Sequence, residues 1–321
     1  MRVALRPPEL EDVDAIWQAM QDRDTAGWLS SIPDPYYRSD ALSFVARIAT
    51  DEDHAITVDG VFAGMIRASE DLGYWLLRDY RGRGVLHRAA QIALLKKFAS
   101  GADFIHADHM DGNLPSRRAL LNLGFRDTGP CSITRLHDGR SLPGRRLVLS
   151  RNAFINALTI RTGRCVLSPM TEADFPALHR IATAPEASRM LMRFFPGQSL
   201  SEFSALMTPA MNPLRRPLRL AIRQNGNCIG SVGIDKGEAP SIFYFLASEA
   251  VGQGIASEIV PVFCDTVQDW YGLDRLAAQA FTDNPASKRV LEKSGFLVTG
   301  TDLMLSAGRR SPGEGWIMQR G

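Results

Sequence analysis

The chain has 321 residues, 22% of them charged, and a formal net charge of +2. That length admits two domains, each able to bury its own core, and the dispersed charge excludes a polybasic surface for nucleic acid or anionic membranes. No apolar run approaches the roughly 18 residues of a membrane span, and Met1 to Arg6 runs straight into strand pattern, so the expected location is cytoplasmic with neither nucleic acid nor membrane as partner.

In chain order, Ala4-Leu5-Arg6-Pro7 reads as a short strand leading into a helix entry at Glu11 to Ile16. A polar, proline-rich stretch follows. Asp59-Gly60, between apolar runs, marks a hairpin, since both residues accept positive φ. Leu72 to Leu77 has strand length and ends at the turn Arg81-Gly82-Arg83-Gly84, after which Val85 to Phe98 carries a helical stripe at Ala89, Ile92, Ala93 and Leu94. Phe104 to Ala107 reads as a strand, Pro115 to Leu123 as a helix with proline in its first turn, and Gly144 to Leu149 as a closing strand.

The order then begins again. Val166-Leu167-Ser168-Pro169 leads into Ala173 to Leu178, Asn225-Gly226 marks a second hairpin, and Ile242–Leu246, Ile255–Trp270, Leu276–Phe281 and Pro285–Lys293 repeat strand, helix, strand, helix. Three landmarks fix the register of the repeat: Gly82 with Gly252, Asn113 with Asn284, and Gly124 with Gly295, at spacings of 170, 171 and 171 residues. A period this long indicates duplicated domains, because solenoid repeats run roughly 20 to 50 residues. The expected boundaries are a first domain over 1–150, a linker over 151–162 and a second domain over 163–321. Cys131, Cys165, Cys228 and Cys264 lie far apart without metal-ligand spacing and read as buried or free thiols.

Glycines after a strand let successive backbone N–H groups converge on one point, and a helix start adds the positive end of its dipole. Pyrophosphate is the natural guest of such a turn. A dinucleotide fold does not fit: His87 and Ser257 occupy the third glycine's place, and the turn follows a hairpin plus strand rather than the first strand.

Leu72-Gly73-Tyr74-Trp75-Leu76 with Arg81-Gly82-Arg83-Gly84, and Gly252-Gln253-Gly254-Ile255-Ala256 with Asn284-Pro285-Ala286-Ser287 through Gly295-Phe296, resemble the GNAT acyltransferase superfamily. The branch they are most similar to is that of the Rim-type ribosomal-protein N-terminal acetyltransferases. The resemblance spans nearly the whole chain. It implies an α+β fold of two tandem GNAT-like domains, each a mixed, mostly antiparallel sheet splayed at its middle and flanked by helices, with acetyl-CoA as co-substrate in the splay. It places the CoA pyrophosphate on the amides of Arg81, Gly82, Arg83, Gly84, Val85 and Leu86, and of Val251, Gly252, Gln253, Gly254, Ile255 and Ala256. Two departures bear on this: Leu86 replaces the small sixth residue in one copy, and Val251 replaces the leading Arg or Gln in the other. The second copy is therefore the expected better CoA site. Asn113 and Asn284 would tie helix, strand and cofactor together, or simply cap a helix.

Many members of the superfamily use a tyrosine acid seven residues past that Asn, where this chain has Leu120 and Leu291. The Rim-like branch presents a serine to the CoA sulfur, which matches Ser116 and Ser287; helix capping is the alternative for both. Asp71 stands where the branch has an acid acting through water, and Ser241 takes that place in the second copy, with Asp235 and Glu238 upstream. A backbone N–H near Tyr74 or Tyr244 would hold the oxyanion. An α-amino group, about a tenth neutral at pH 7, asks little of a base. The expected function is direct acetyl transfer to a primary amine, with a protein N-terminus as acceptor. A small amine such as an antibiotic or polyamine is the alternative acceptor, and a CoA-binding sensor or scaffold the alternative class. Acceptor specificity falls to the loops Asp22 to Tyr37 and Arg193 to Pro217, and the expected assembly is a monomer with pseudo-twofold halves.

Overall fold

The computed structural model describes residues Met1–Gly321, which divide into two compact units, Met1–Ala157 and Leu158–Gly321. In the first, β1 (Val3–Arg6), β2 (Asp53–Val58), β3 (Val61–Ala68) and β4 (Leu72–Leu76) form an antiparallel sheet in that order. The β2–β3 hairpin turns through Asp59 and Gly60, with φ of 50° and 84°, the paired left-handed residues of a tight hairpin. Helices α1 (Val13–Gln21), α2 (Arg23–Ala26) and α3 (Arg38–Ser43) separate β1 from β2, and Val13, Ile16 and Ala41 bury against Ala55 and Met65. Helix α4 (Val85–Ala99) packs on β1 and β3. A second antiparallel sheet is built from β5 (Phe104–Met110), β6 (Arg126–Thr134) and β7 (Ser141–Ser150) in the order β5-β7-β6, with α5 (Leu114–Asn122) between β5 and β6.

The second unit repeats this plan. β8 (Ile160–Arg161), β9 (Val166–Pro169), β10 (Leu218–Gln224), β11 (Asn227–Ile234) and β12 (Ile242–Leu246) form one sheet; β13 (Leu276–Phe281), β14 (Leu297–Met304) and β15 (Gly313–Arg320) form the other. Helices α7 (Phe175–Ala182), α8 (Pro185–Ser188) and α9 (Leu200–Met207) precede β10, α10 (Ile255–Tyr271) follows β12, and α11 (Pro285–Lys293) follows β13. The residues read as a linker are themselves ordered: α6 (Arg151–Ala157) buries Phe154 against Phe98, and β8 pairs with β9. No helix is long and apolar enough to cross a membrane.

The two sheets of each unit meet at a single point. Asp71 bridges His106 in parallel, with His106 N–H donating to Glu70 O at 2.9 Å, and beyond this β4 and β5 diverge. Ser241 and Ala277 make the same lone bridge in the second unit, Ala277 N–H donating to Pro240 O at 3.0 Å.

Each helix entry is tied down by a buried acid. Asp12 accepts from the Glu9 N–H at 2.8 Å and from both Arg6 guanidinium nitrogens at 2.7 and 2.8 Å; Asp174 accepts from Thr171 N–H at 2.9 Å but takes its arginine, Arg223, from β10. Burial acts against the Asp12 carboxylate, yet Arg6 and the Glu9 amide hold its pKa below the ordinary aspartate value. A depressed carboxyl pKa stabilises the fold above the unfolded value near 3.9, and that contribution is lost as pH falls through the lower folded value. Asp12→Ala is expected to cost about 2 to 3 kcal/mol at pH 7, because it strands Arg6 and an amide. In urea denaturation the gap from the wild type should close at the acid end of that window.

Candidate active site

The Gly-x-Gly turns sit where β4 and β12 end. Gly82 and Gly84 have φ of 69° and 76°, Gly252 and Gly254 of 81° and 77°, and Gly84 and Gly254 are the N-cap residues of α4 and α10. The first helical bond in each is Arg88 N–H to Gly84 O and Glu258 N–H to Gly254 O, so the amides of the preceding three residues have no intrahelical acceptor. A Cβ added at Gly82, Gly84 or Gly252 would meet no atom within 4 Å. The amide face of both turns is open, which fits a bound pyrophosphate.

The side chains of the turns point elsewhere. Arg81 donates to Leu76 O at 3.1 Å and to Thr25 Oγ1 at 2.6 Å; Arg83 and Gln253 turn back to Asp79 O and Glu249 O. Only the backbone of these residues is presented. At the second turn Arg164, which the sequence reading passed over, donates to Gln253 O at 2.9 Å and to Glu258 at 2.6 Å, placing a guanidinium 3.7 Å from the Cβ position of Gly254.

The Asn-to-Gly-Phe motif is the two ends of one nine-residue helix. Asn113 Oδ1 accepts from Ser116 N–H at 3.2 Å and Asn284 Oδ1 from Ser287 N–H at 3.1 Å, which makes both residues N-caps. At the other end Gly124 and Gly295 take φ of 95° and 86°. Phe125 N–H returns to Leu120 O at 3.1 Å and Phe296 N–H to Leu291 O at 3.0 Å, while both phenylalanines are buried. This is the Schellman stop, whose glycine and apolar residue the sequence had to supply. Leu120 and Leu291 are each 1% exposed, so the helix face that carries a tyrosine in many GNAT enzymes is core here.

With the cap in place, each serine hydroxyl meets a tyrosine. Tyr74 Oη lies 2.9 Å from Ser116 Oγ, and Tyr244 Oη lies 2.9 Å from Ser287 Oγ. Burial pushes both phenols up to about 12, against the opposing effect of the serine bond. The signal was present: a tyrosine stands 42 residues before Ser116 and 43 before Ser287. These bonds span from β4 to α5 and from β12 to α11, across the diverging strands.

The sheet register fixes what the open edges present. Leu77 N–H bonds Ala63 O, and Ala247 N–H bonds Ile229 O. Counting back by two, Trp75 and Phe245 also bond inward, so the N–H groups of Tyr74 and Tyr244 point to the divergence. Asp71 is exposed and shares a face with Trp75, opposite the Tyr74 side chain; Ser241 is half-buried, its N–H donating to Asp235 Oδ1 at 3.0 Å. Of the histidines, His87 lies on α4, where burial and then Arg88 lower its pKa; His106 is exposed, and His109 is buried with Nδ1 on Met110 O.

A family model described as an acetyltransferase (GNAT) domain matches residues 2–126 and again 164–297. The chain belongs to the GNAT acetyltransferase family. It is similar to the uncharacterised N-acetyltransferase YoaA of Bacillus subtilis, 28% identical over 148 residues, covering 44% of this chain and 84% of that protein. Solved relatives include Mycobacterium smegmatis RimJ in complex with CoA-disulfide (21% identity, TM-score 0.43, 50% of this chain and 85% of that one). Another is a Vibrio cholerae spermidine N-acetyltransferase in complex with CoA and spermine (17% identity, TM-score 0.43, 49% and 94%). The chain is thus an acetyl-CoA-dependent GNAT acetyltransferase with a family match in each half.

Because Asn284 and Asn113 cap their helices through Oδ1, replacing either with Ala should lower stability by about 1 kcal/mol. Chemical denaturation of the two variants checks this, and an unchanged midpoint would contradict the capping geometry.

Proposed function

We propose that this enzyme transfers acetyl from acetyl-CoA directly to the α-amino group of a protein N-terminus. In this reading the chemistry rests on Tyr244 and Ser287 in the second unit and on Tyr74, Ser116 and Asp71 in the first. The observation that carries it is the duplicated hydroxyl pair at the divergence of the strands. The amine nitrogen attacks the thioester carbonyl carbon, a C–N bond forms, and the carbonyl electrons move to oxygen, facing the N–H of Tyr74 or Tyr244. Collapse restores the carbonyl and breaks the C–S bond. The departing sulfur takes a proton from the serine hydroxyl, the serine oxygen takes one from the tyrosine phenol, which is protonated at neutral pH, and the phenolate recovers a proton from water. The proton lost from nitrogen passes to water, assisted in the first unit by Asp71.

A weak base suffices for an α-amino group with a pKa near 7.7 to 8.0, whereas a lysine near 10.4 would need a strong one. Direct transfer is supported by the thiols. Burial raises all four cysteine pKa values, that of Cys264 to about 12, which disfavours the thiolate a covalent carrier needs.

The two turns differ in how they would hold CoA. Helical side chains tilt toward the N-terminus, so the larger Leu86 would crowd a pyrophosphate at the first turn where Ala256 would not. The second unit is therefore the tighter site in this reading, and Gly254→Glu, which adds bulk and negative charge there, should weaken CoA binding in calorimetry more than Gly84→Glu does. Equal effects would contradict the assignment.

Ser287→Ala should retain CoA binding and lower kcat by roughly 10²-fold to 10⁴-fold, as for a lost general acid. Ser116→Ala and Asp71→Asn, assayed beside it with N-terminal peptides, report the share of the first unit. A loss below tenfold in all three would reduce the serines to structural partners of Tyr74 and Tyr244.

A further inference from the structure

The units differ along one row across the sheet. Three residues outward from the bulged pairs Ile56–Gly64 and Ile222–Gly230, the first unit has Asp53, Arg67 and Gly73 in register, and the second has Arg219, Gly233 and Phe243. The first row carries its own counter-charge, Arg67 Nη1 lying 3.6 Å from the Asp53 carboxylate. The second has no acid. Above Gly233 the room is taken by its neighbours, since a Cβ there would lie 2.3 Å from the Phe243 ring and 2.8 Å from Arg219 Cγ.

Arg219 is half-buried, with its guanidinium carbon 3.9 Å from the centroid of Phe243 and 5.7 Å from that of Phe194. It forms no ion pair, and neither does the exposed Arg193 beside Phe194. Burial, and then Arg193, pull the Arg219 pKa down from the ordinary arginine value, while a guanidinium stays charged at neutral pH. A partly desolvated cation is costly without an anion, and aromatic faces offset only part of that cost.

This cation lies beside the reaction. Phe243 adjoins Tyr244, whose N–H faces the divergence, and its side chain takes the opposite face, shared with Phe245 and Phe194. One strand spacing, about 5 Å, separates β12 from β11, so a guanidinium over Phe243 stands next to the open edge. The loop bearing Arg193 and Phe194 is the one to which acceptor specificity was assigned.

We propose that Arg219 and Arg193 form an anion-recognition site for the acceptor of the second unit, so that its amine substrate carries a carboxylate close to the amine. A peptide with Asp or Glu next to its N-terminal residue has that chemistry; a polyamine would set positive charge against two arginines. This rests on the reading of the second unit as catalytic.

The test uses peptides identical except for Glu, Gln or Lys at the second residue, with the CoA-loaded full chain, measuring both calorimetric binding and acetylation. The Glu peptide should bind about tenfold more tightly than the Gln peptide, as expected for one charge-assisted contact, with the Lys peptide weakest and the preference fading in high salt. Arg219→Gln should weaken the Glu peptide to the level of the Gln peptide, and Arg219→Lys should restore part of the difference. Should Arg219→Gln fail to melt cooperatively, Arg193→Gln reads the same site from the surface. Equal binding of all three peptides to the wild type, or a Glu preference that survives both Gln variants, overturns the inference. Charge-selective binding without turnover overturns only the acetyl-transfer reading, and turnover without charge preference only this one.

Discussion

Everything at the candidate site depends on two strands that pair once and then part. After the bridge from Asp71 to His106, the β4 edge has no strand to satisfy it, and the same holds for β12 after Ser241 and Ala277. Unpaired backbone groups in a protein interior demand partners. The chain supplies some of its own: Arg81 takes the Leu76 carbonyl, and tyrosine hydroxyls cross the gap to the serines of α5 and α11. What the chain leaves for a ligand is the Tyr74 and Tyr244 amides and the turn amides that follow Arg81 and Val251, whose own N–H groups already bond Arg78 O and Ser248 O.

Much of this was legible because it is local. A glycine forced to positive φ, a proline in a first turn and an asparagine three residues before a serine each follow from short-range backbone chemistry, and each occurs twice. The internal repeat raised turns that are individually weak signals into a pattern. The pairing of Tyr74 with Ser116 was not legible in the same way, since two residues far apart in sequence meet only through the crossing of α5 over the open edge. The destinations of the Arg81 and Arg83 side chains were hidden for a related reason: each guanidinium is claimed by a carbonyl that only the folded turn brings near. Arg219 was invisible to periodicity because its significance is the acid that its row lacks.

The halves keep a common frame and diverge in what decorates it. Both retain the buried acid at the helix entry, yet its arginine comes from β1 in one and β10 in the other. Both retain the hydroxyl pair, but the row beside it is an ion pair in one unit and an aromatic-clad cation in the other. A fold tolerates such exchange wherever the requirement is for a charge to be answered and not for a particular residue to answer it.

Apart from the lone bridge, the two sheets of each unit are separate pieces of hydrogen-bonded backbone. Helix packing and a hydroxyl pair hold those pieces together. A ligand lying in that seam touches both pieces, and its binding free energy is added to the work of parting them. A co-substrate bound in the seam would in this way tie the two sheets of a unit together.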